Sequence, residues 1–430
     1  MKVLVSAYAC EPDKGSEPGV GWHWVQQIAR FHIVWVMTRK NNQASIEKEL
    51  AGNPNANLNF CYVDLPGWAS FWKRAPLGIY LYYFMWQLLA LRQACRLKQR
   101  VHFDLGHHVT FGNLWLPSFI PFLRIPFVFG PIGGGETVPK ALYKNFSFRW
   151  RVYEKIRQLT LIRGSVFNPF LRLTIKKAAL ILVRTEMTGK LIQEKLKKKT
   201  LLMLETGVDD EFLEKINTVD ALKVNDRIVM AGRLLHWKGF ELGIKAFARI
   251  SFKFPNASLI IIGTGPELSR LKKIAAASDL TDRVYFLGHQ PRVKVLENMV
   301  KAQIFLYPSM KDAGAWVLFE AMAACLPVVC LDYAGPAEII DDNCGIKIPI
   351  ENHDQVIAQL SHALAKLLAS PKTKGNMGKA ARRRLKDSFH WNSKGESLSK
   401  LYHQISDQQQ SWGVEESPSK GPEPRSVGGR

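Results

Sequence analysis

Short apolar runs of strand length alternate with amphipathic segments along nearly the whole chain. In the first half these runs are Lys2–Ser6, His32–Thr38, Leu58–Val63, Phe103–His107, Pro126–Phe129, Ala179–Arg184 and Leu201–Leu204. A second series follows at Arg227–Ala231, Ser258–Ile262, Val284–Leu287, Gln303–Tyr307, Val328–Leu331 and Gly345–Ile348. Helical spacing fills the gaps, as in Gly19–Arg30, Asn41–Ala51, Phe240–Phe252, Glu267–Ala277 and Gln355–Leu368. Uniformly apolar strands separated by helices imply α/β architecture with parallel sheets. The units suffice for two doubly wound domains, with a boundary in the weakly patterned stretch near 206–227. Ligands of such sheets bind beyond the carboxyl ends of the strands, which places the expected site in a cleft between the domains.

Composition narrows the partners. The 430 residues are 47% hydrophobic and 22% charged, as in soluble globular proteins, but the net charge is +22. Residues 1–205 carry 29 Lys and Arg against 12 Asp and Glu, whereas the remainder carries 30 against 25. A basic first half suits a polyanion: nucleic acid, an anionic membrane or a phosphate-bearing substrate. Lys140, Lys144, Arg149, Arg151, Lys155, Arg157 and Arg163 crowd one stretch, interleaved with Tyr143, Phe146, Phe148, Trp150 and Tyr153. The apolar segment Leu77–Leu91 is shorter than the ~20 residues of a membrane span and is flanked by cations. It reads as a buried crossover helix or an interfacial one. The opening Met-Lys-Val-Leu-Val-Ser reads as a first strand, not a signal peptide. The six cysteines form no C-x-x-C pair and no Cys/His cluster with zinc spacing. Reduced thiols, a cytosolic setting and no metal are expected. Residues 413–430, rich in Gly, Pro, Ser and charge, read as a disordered tail.

Several loops carry candidate chemistry. Glu17-Pro-Gly19-Val-Gly21 follows the first strand and opens a helix, so backbone amides there can approach a phosphate or sugar. Gly133-Gly134-Gly135-Glu136 is a hinge or a second close approach. Arg233 and Lys238 straddle the end of Arg227–Ala231, where a departing diphosphate gains charge that cations stabilise. Gly263-Thr-Gly265-Pro is a strand-to-helix turn. In Asp104-Leu-Gly-His107-His108, adjacent side chains point to opposite faces, so at most one imidazole faces the cleft. Asp312-Ala-Gly314-Ala-Trp-Val-Leu-Phe-Glu320 places two carboxylates around a helix start. Gly314 provides a sharp turn, Glu320 lies roughly two turns into the helix, and the free amides suit phosphate. Carboxylates that accept sugar hydroxyls beside a phosphate site suggest a nucleotide sugar.

In this order the motifs resemble the retaining glycosyltransferases of family 4, which have the GT-B fold of two Rossmann-like domains around a cleft. The resemblance covers about residues 1–410. It implies an acceptor-binding domain over 1–205, a nucleotide-sugar domain over 206–390, and a final helix, 391–410, that crosses back. Gly19 and Gly21 then approach the donor phosphates or acceptor. His108, slightly favoured over His107, contacts the donor sugar, and Arg233 with Lys238 binds the diphosphate. Thr206-Gly207-Val208-Asp209 resembles the family's Asn-Gly-Val-Asp. Asp312 and Glu320 match its Glu, seven residues, Glu motif, with Asp in the first place. The first carboxylate holds donor-sugar hydroxyls and the second the ribose.

The resemblance implies metal-independent transfer from a UDP- or GDP-sugar without a separate cofactor, the departing phosphate deprotonating the acceptor on the same face. With the basic first half, it points to a polyprenyl-diphosphate-linked or other glycan acceptor at the cytoplasmic face of a membrane. A soluble acceptor is the alternative. A nucleic-acid-binding protein or a binding protein without catalysis lies further off.

Overall fold

The computed structural model describes residues 1–74, 78–192, 199–219 and 222–415. Two separate parallel sheets form. The first contains β1 (Lys2–Ser6), β2 (Ile33–Arg39), β3 (Leu58–Val63), β4 (Leu105–His108), β5 (Phe127–Ile132), β6 (Leu180–Val183) and β7 (Thr200–Leu202). Their spatial order is β3-β2-β1-β4-β5-β6-β7. The second contains β8 (Arg227–Ala231), β9 (Ser258–Ile262), β10 (Val284–Gly288), β11 (Ile304–Tyr307), β12 (Val328–Leu331) and β13 (Gly345–Ile348), ordered β10-β9-β8-β11-β12-β13.

Each sheet is apolar on both faces because helices cover both. Along β8, Ile228 and Met230 enter one core cluster while Val229 and Ala231 enter another. Along β1, Leu4 faces one cluster while Val3 and Val5 face the other. This period of two is the pleat. The strand order reverses between β1 and β4 and again between β8 and β11, so the loops after those strands diverge and open a crevice.

Two segments tie the domains together. Helix Trp391–Glu415 packs on helix Ser16–Ala29, with Trp391 between the rings of His23 (5.1 Å) and Trp24 (5.3 Å). Tyr402 bonds His107 Nδ1 at 2.5 Å, and Lys394 donates to the Leu204 carbonyl at 2.6 Å. Burial pushes the Lys394 ammonium down to about 7. Residues 413–415 belong to this helix and not to a tail; 416–430 lie outside the described residues. The second tie was not expected. Val138, Leu142 and Phe146 insert into the core of the second domain, although their neighbours in sequence build the first.

That insertion divides the basic–aromatic stretch between an inner and an outer face. Phe146 and Trp150 do not line an open surface: Trp150 stacks on His236 at 4.1 Å and donates to Glu267 at 3.0 Å. The segment read as buried or interfacial is helix Gly78–Lys98, which has one face of each kind; Leu77 lies outside the described residues. Tyr82, Tyr83, Trp86 and Ala90 are buried, while Ile79, Tyr80, Leu81 and Leu88 are exposed. Among the described residues, no helix is long and apolar enough to cross a membrane.

Candidate functional site

The switch point of the second sheet gathers most of the singled-out residues. β8 ends at Ala231 and leads through Gly232 and Arg233; β9 leads into Gly263 and Gly265. These corners touch: a Cβ on Gly263 would stand 1.9 Å from the Gly232 carbonyl oxygen. Only bare backbone fits, and the absent side chains leave space above the strands. A cavity of about 610 Å³ opens there, lined among others by Arg233, Thr264, His289, Gln290, Trp316 and Glu320. Arg233 is exposed, and its guanidinium has no hydrogen bond or ion pair among the described residues.

Glu320 stands one turn, not two, into the helix, because the helix begins at Trp316. Its Oε1 accepts from Arg292 Nε and from Trp316 Nε1, both at 3.1 Å. Burial pushes its pKa up, and Arg292 offsets this only in part. No described residue donates to Oε2. Asp312 has the same asymmetry. Its Oδ2 accepts from Lys238 Nζ at 2.6 Å, from Ser309 Oγ at 2.6 Å and from the Tyr307 hydroxyl, while Oδ1 has no donor among the described residues. Burial pushes the Asp312 carboxyl up, but Lys238 and the two hydroxyls hold it below its ordinary value. Each carboxylate is anchored by one oxygen and presents the other as an acceptor, the arrangement that suits a sugar hydroxyl.

The two predicted diphosphate cations are engaged differently. Arg233 lines the cavity, whereas Lys238 is paired with Asp312. It also corrects the account of Gly314. The left-handed residue at the helix start is Ala315, with φ 31°. Gly314 is needed for close approach instead: a Cβ there would meet Glu205 Oε1 at 2.8 Å. Glu205 is paired with Arg184 at 2.6 Å, so a half-buried ion pair from the first-domain side abuts the Asp312–Glu320 turn.

On the first-domain side, Gly19 and Gly21 lie in helix Ser16–Ala29. A Cβ on either would come within about 2 Å of the Lys14 or Ala9 carbonyl oxygen. Both therefore let this helix press against the loop after β1. Gly19 also borders an interdomain cavity of about 900 Å³ lined by Lys14, His23, Glu49, Asp209, Arg292 and Trp316 among others. Trp316, which with Arg292 fixes Glu320, lines both cavities and so stands in the wall between them, whereas Arg292 lines the larger one.

The histidine pair is not brought to either cavity. His108 is 1% exposed, with Nε2 at 3.1 Å from the Tyr83 hydroxyl and Nδ1 at 3.0 Å from Ser118 Oγ. His107 bonds Tyr402 and the Gly130 carbonyl. Burial lowers His107 to about 4 and His108 to about 3, so both are neutral at physiological pH. β4 lies inside the sheet and distant elements cap its end, which seals both rings. The triple-glycine loop is likewise anchored: buried Glu136 accepts from Gly134 N, Thr185 Oγ1 and Thr188 Oγ1. Among the described residues, no group of three His, Cys, Asp or Glu side chains is placed to hold a metal ion.

Comparison with known proteins bears on this geometry. Residues 214–384 match the family model described as glycosyl transferases group 1. The chain is 24% identical to an uncharacterized glycosyltransferase of Methanocaldococcus jannaschii over 241 residues, 54% of this chain and 60% of that one. It is 29% identical over 181 residues to the GDP-mannose-dependent monoacylated alpha-(1-6)-phosphatidylinositol monomannoside mannosyltransferase of Corynebacterium glutamicum, covering 40% and 46%. The matches thus span about half the length of these curated relatives. Anabaena HepE in complex with UDP superposes with a TM-score of 0.60 at 15% identity, covering 94% of this chain and all of that one. Sucrose-phosphate synthase from Thermosynechococcus elongatus gives 0.57 at 17% identity, covering 94% and 98%. The chain has the GT-B fold, and most of its second domain is similar to glycosyl transferases group 1.

Proposed function

We propose that this protein is a retaining glycosyltransferase that draws a sugar from a nucleoside-diphosphate sugar. One observation carries the reading: the 610 Å³ cavity at the second switch point joins a free cation, Arg233, to a carboxylate with one open oxygen, Glu320. The ribose hydroxyls bond Glu320 Oε2, and the diphosphate lies along Gly232, Arg233 and the start of helix Trp316–Ala323. Asp312 Oδ1 accepts a hydroxyl of the donor sugar, and Lys238 fixes Asp312 while adding positive charge beside the leaving group. The bond from the anomeric carbon to phosphate oxygen breaks, and an acceptor oxygen bonds that carbon on the same face. The departing phosphate takes the acceptor proton, so no side-chain base is needed. The polar interdomain cavity bordered by Gly19 receives the acceptor glycan.

The bound UDP named for HepE and the GDP-mannose named for the Corynebacterium relative support a UDP- or GDP-sugar. That relative's phosphatidylinositol-based acceptor supports a lipid-linked acceptor, as does the basic first domain. Such an acceptor puts the enzyme at the cytoplasmic face of a membrane. A thermal-shift panel of UDP, GDP, ADP and their sugars tests the donor. A ligand at 100 times its Kd raises stability by ~2.7 kcal/mol. One base is expected to stand out; a flat panel contradicts the proposal. The anomeric configuration of the product, read by NMR, tests retention.

A further inference from the structure

Helix Phe148–Phe167 has two faces with different work. Trp150 and Glu154 hold the second domain on its inner side. On the outer side Phe148, Val152, Ile156 and Leu159 are 75%, 38%, 57% and 55% exposed. Spacings of four, four and three residues put them in one stripe. Arg149, Arg151 and Lys155 are exposed around it. The helix continues through Asn168 into helix Pro169–Lys177, whose exposed Phe170 is linked through half-buried Phe84 and buried Phe119 to exposed Phe122. Phe170 lies 6.3 Å from Phe84 and 6.0 Å from Phe119, and Phe119 lies 5.8 Å from Phe122. Exposed Arg124, Arg172, Lys176 and Lys177 belong to the same elements.

Charge decides what covers this surface. From Leu105 to Thr185 the chain has twelve Lys and Arg and two acids. Both acids, Glu136 and Glu154, are buried in contacts of their own. An apolar stripe with only cations around it matches a layer that is anionic at its surface and apolar beneath. Val152, Ile156 and Leu159 cannot stack on bases, and Trp150 is turned inward, which disfavours nucleic acid.

We infer that the outer face of helix Phe148–Phe167 docks the protein onto an anionic lipid bilayer. The docking rests on the membrane-linked acceptor proposed above and fixes which face meets the lipid. It sets the bilayer about one helix diameter, ~10 Å, from His236 and Lys311, which neighbour Lys238 and Asp312.

Sedimentation with vesicles of phosphatidylcholine alone, or mixed with phosphatidylglycerol, tests it. The full-length protein is expected to pellet with the mixed vesicles and to be released by salt. Joint replacement Phe148→Ser, Ile156→Ser and Leu159→Ser is expected to weaken partitioning at least tenfold, with nucleotide-induced thermal shifts retained. Arg149→Gln with Lys155→Gln should weaken it about fivefold per cation removed. Equal pelleting of variants and wild type overturns the inference. So does absence of wild-type binding to mixed vesicles, or an oligonucleotide affinity that the serine variant abolishes while vesicle binding stays intact. Vesicle binding with a flat nucleotide panel would overturn only the donor reading.

Discussion

Glu154→Gln tests how the loops after β8 and β11 are held. The Glu154 side chain is fully buried. It accepts from His236 Nε2 at 3.1 Å and from Lys311 Nζ, with Arg157 Nε at 3.4 Å. Burial pushes its carboxyl up, yet the bonds from His236 and Lys311 outweigh burial and bring it down to about 2 from 4.5. At 1.36 kcal/mol per unit, that shift favours the ionised form by roughly 3 kcal/mol. The folded value lies below the unfolded one, so this stability is fully present above about pH 4.5 and is lost as pH falls towards 2. Burial works against the partner: Lys311 is pushed down to about 8. The pair's net worth is therefore small, while removing one member strands the other. Glu154→Gln keeps the shape and removes the charge, and is expected to cost about 3 kcal/mol at pH 7. Adding Lys311→Met should recover most of that loss. Urea unfolding followed by tryptophan emission and by far-ultraviolet circular dichroism measures both, since two domains need not unfold together. A single variant within about 1 kcal/mol of wild type, or simple additivity in the double variant, would show that Glu154 does not hold Lys311 and His236 in this way.

Four further outcomes follow from the contacts. Glu320→Gln should weaken nucleoside-diphosphate binding about 10- to 100-fold in calorimetric titration, consistent with the worth of a charged hydrogen bond. Wild-type affinity should fall as acid protonates Glu320, beginning above the ordinary glutamate range because burial raises its pKa. Asp312→Ala strands Lys238 and the buried Tyr307 and Ser309 hydroxyls and should lower stability by about 3 kcal/mol in denaturant melts. Tyr402→Phe removes the partner of His107 Nδ1 and should cost about 1–2 kcal/mol, showing as earlier thermal unfolding of the first domain.

Both sheets were legible because buried parallel strands are apolar on both faces; their ends shifted by up to three residues, as with β5, expected to end at Phe129 but running to Ile132. Loop residues that directly follow strands, such as Arg233, were legible for the same reason. The environment of Asp312 was not. Tyr307 reads as the end of a strand and Ser309 lies two residues beyond it, and nothing in their spacing says that both hydroxyls turn onto one carboxylate oxygen. Arg292, 28 residues before Glu320, gave no local signal either. His108 misled because strand-end position says nothing about what caps the strand. Its caps, Tyr83 and Ser118, are 25 and 10 residues away. Val138, Leu142 and Phe146 read as apolar in sequence, but hydrophobicity does not say which of two cores receives a side chain.

In the proposed function Arg233 and Glu320 bind one nucleoside diphosphate. Calorimetric titration of the best nucleotide from the panel into wild type, Arg233→Ala and Glu320→Ala measures this. Saturable one-to-one binding by wild type, weakened at least tenfold in each variant with the fold intact by circular dichroism, is the predicted result. Wild-type affinity in both variants would contradict the account.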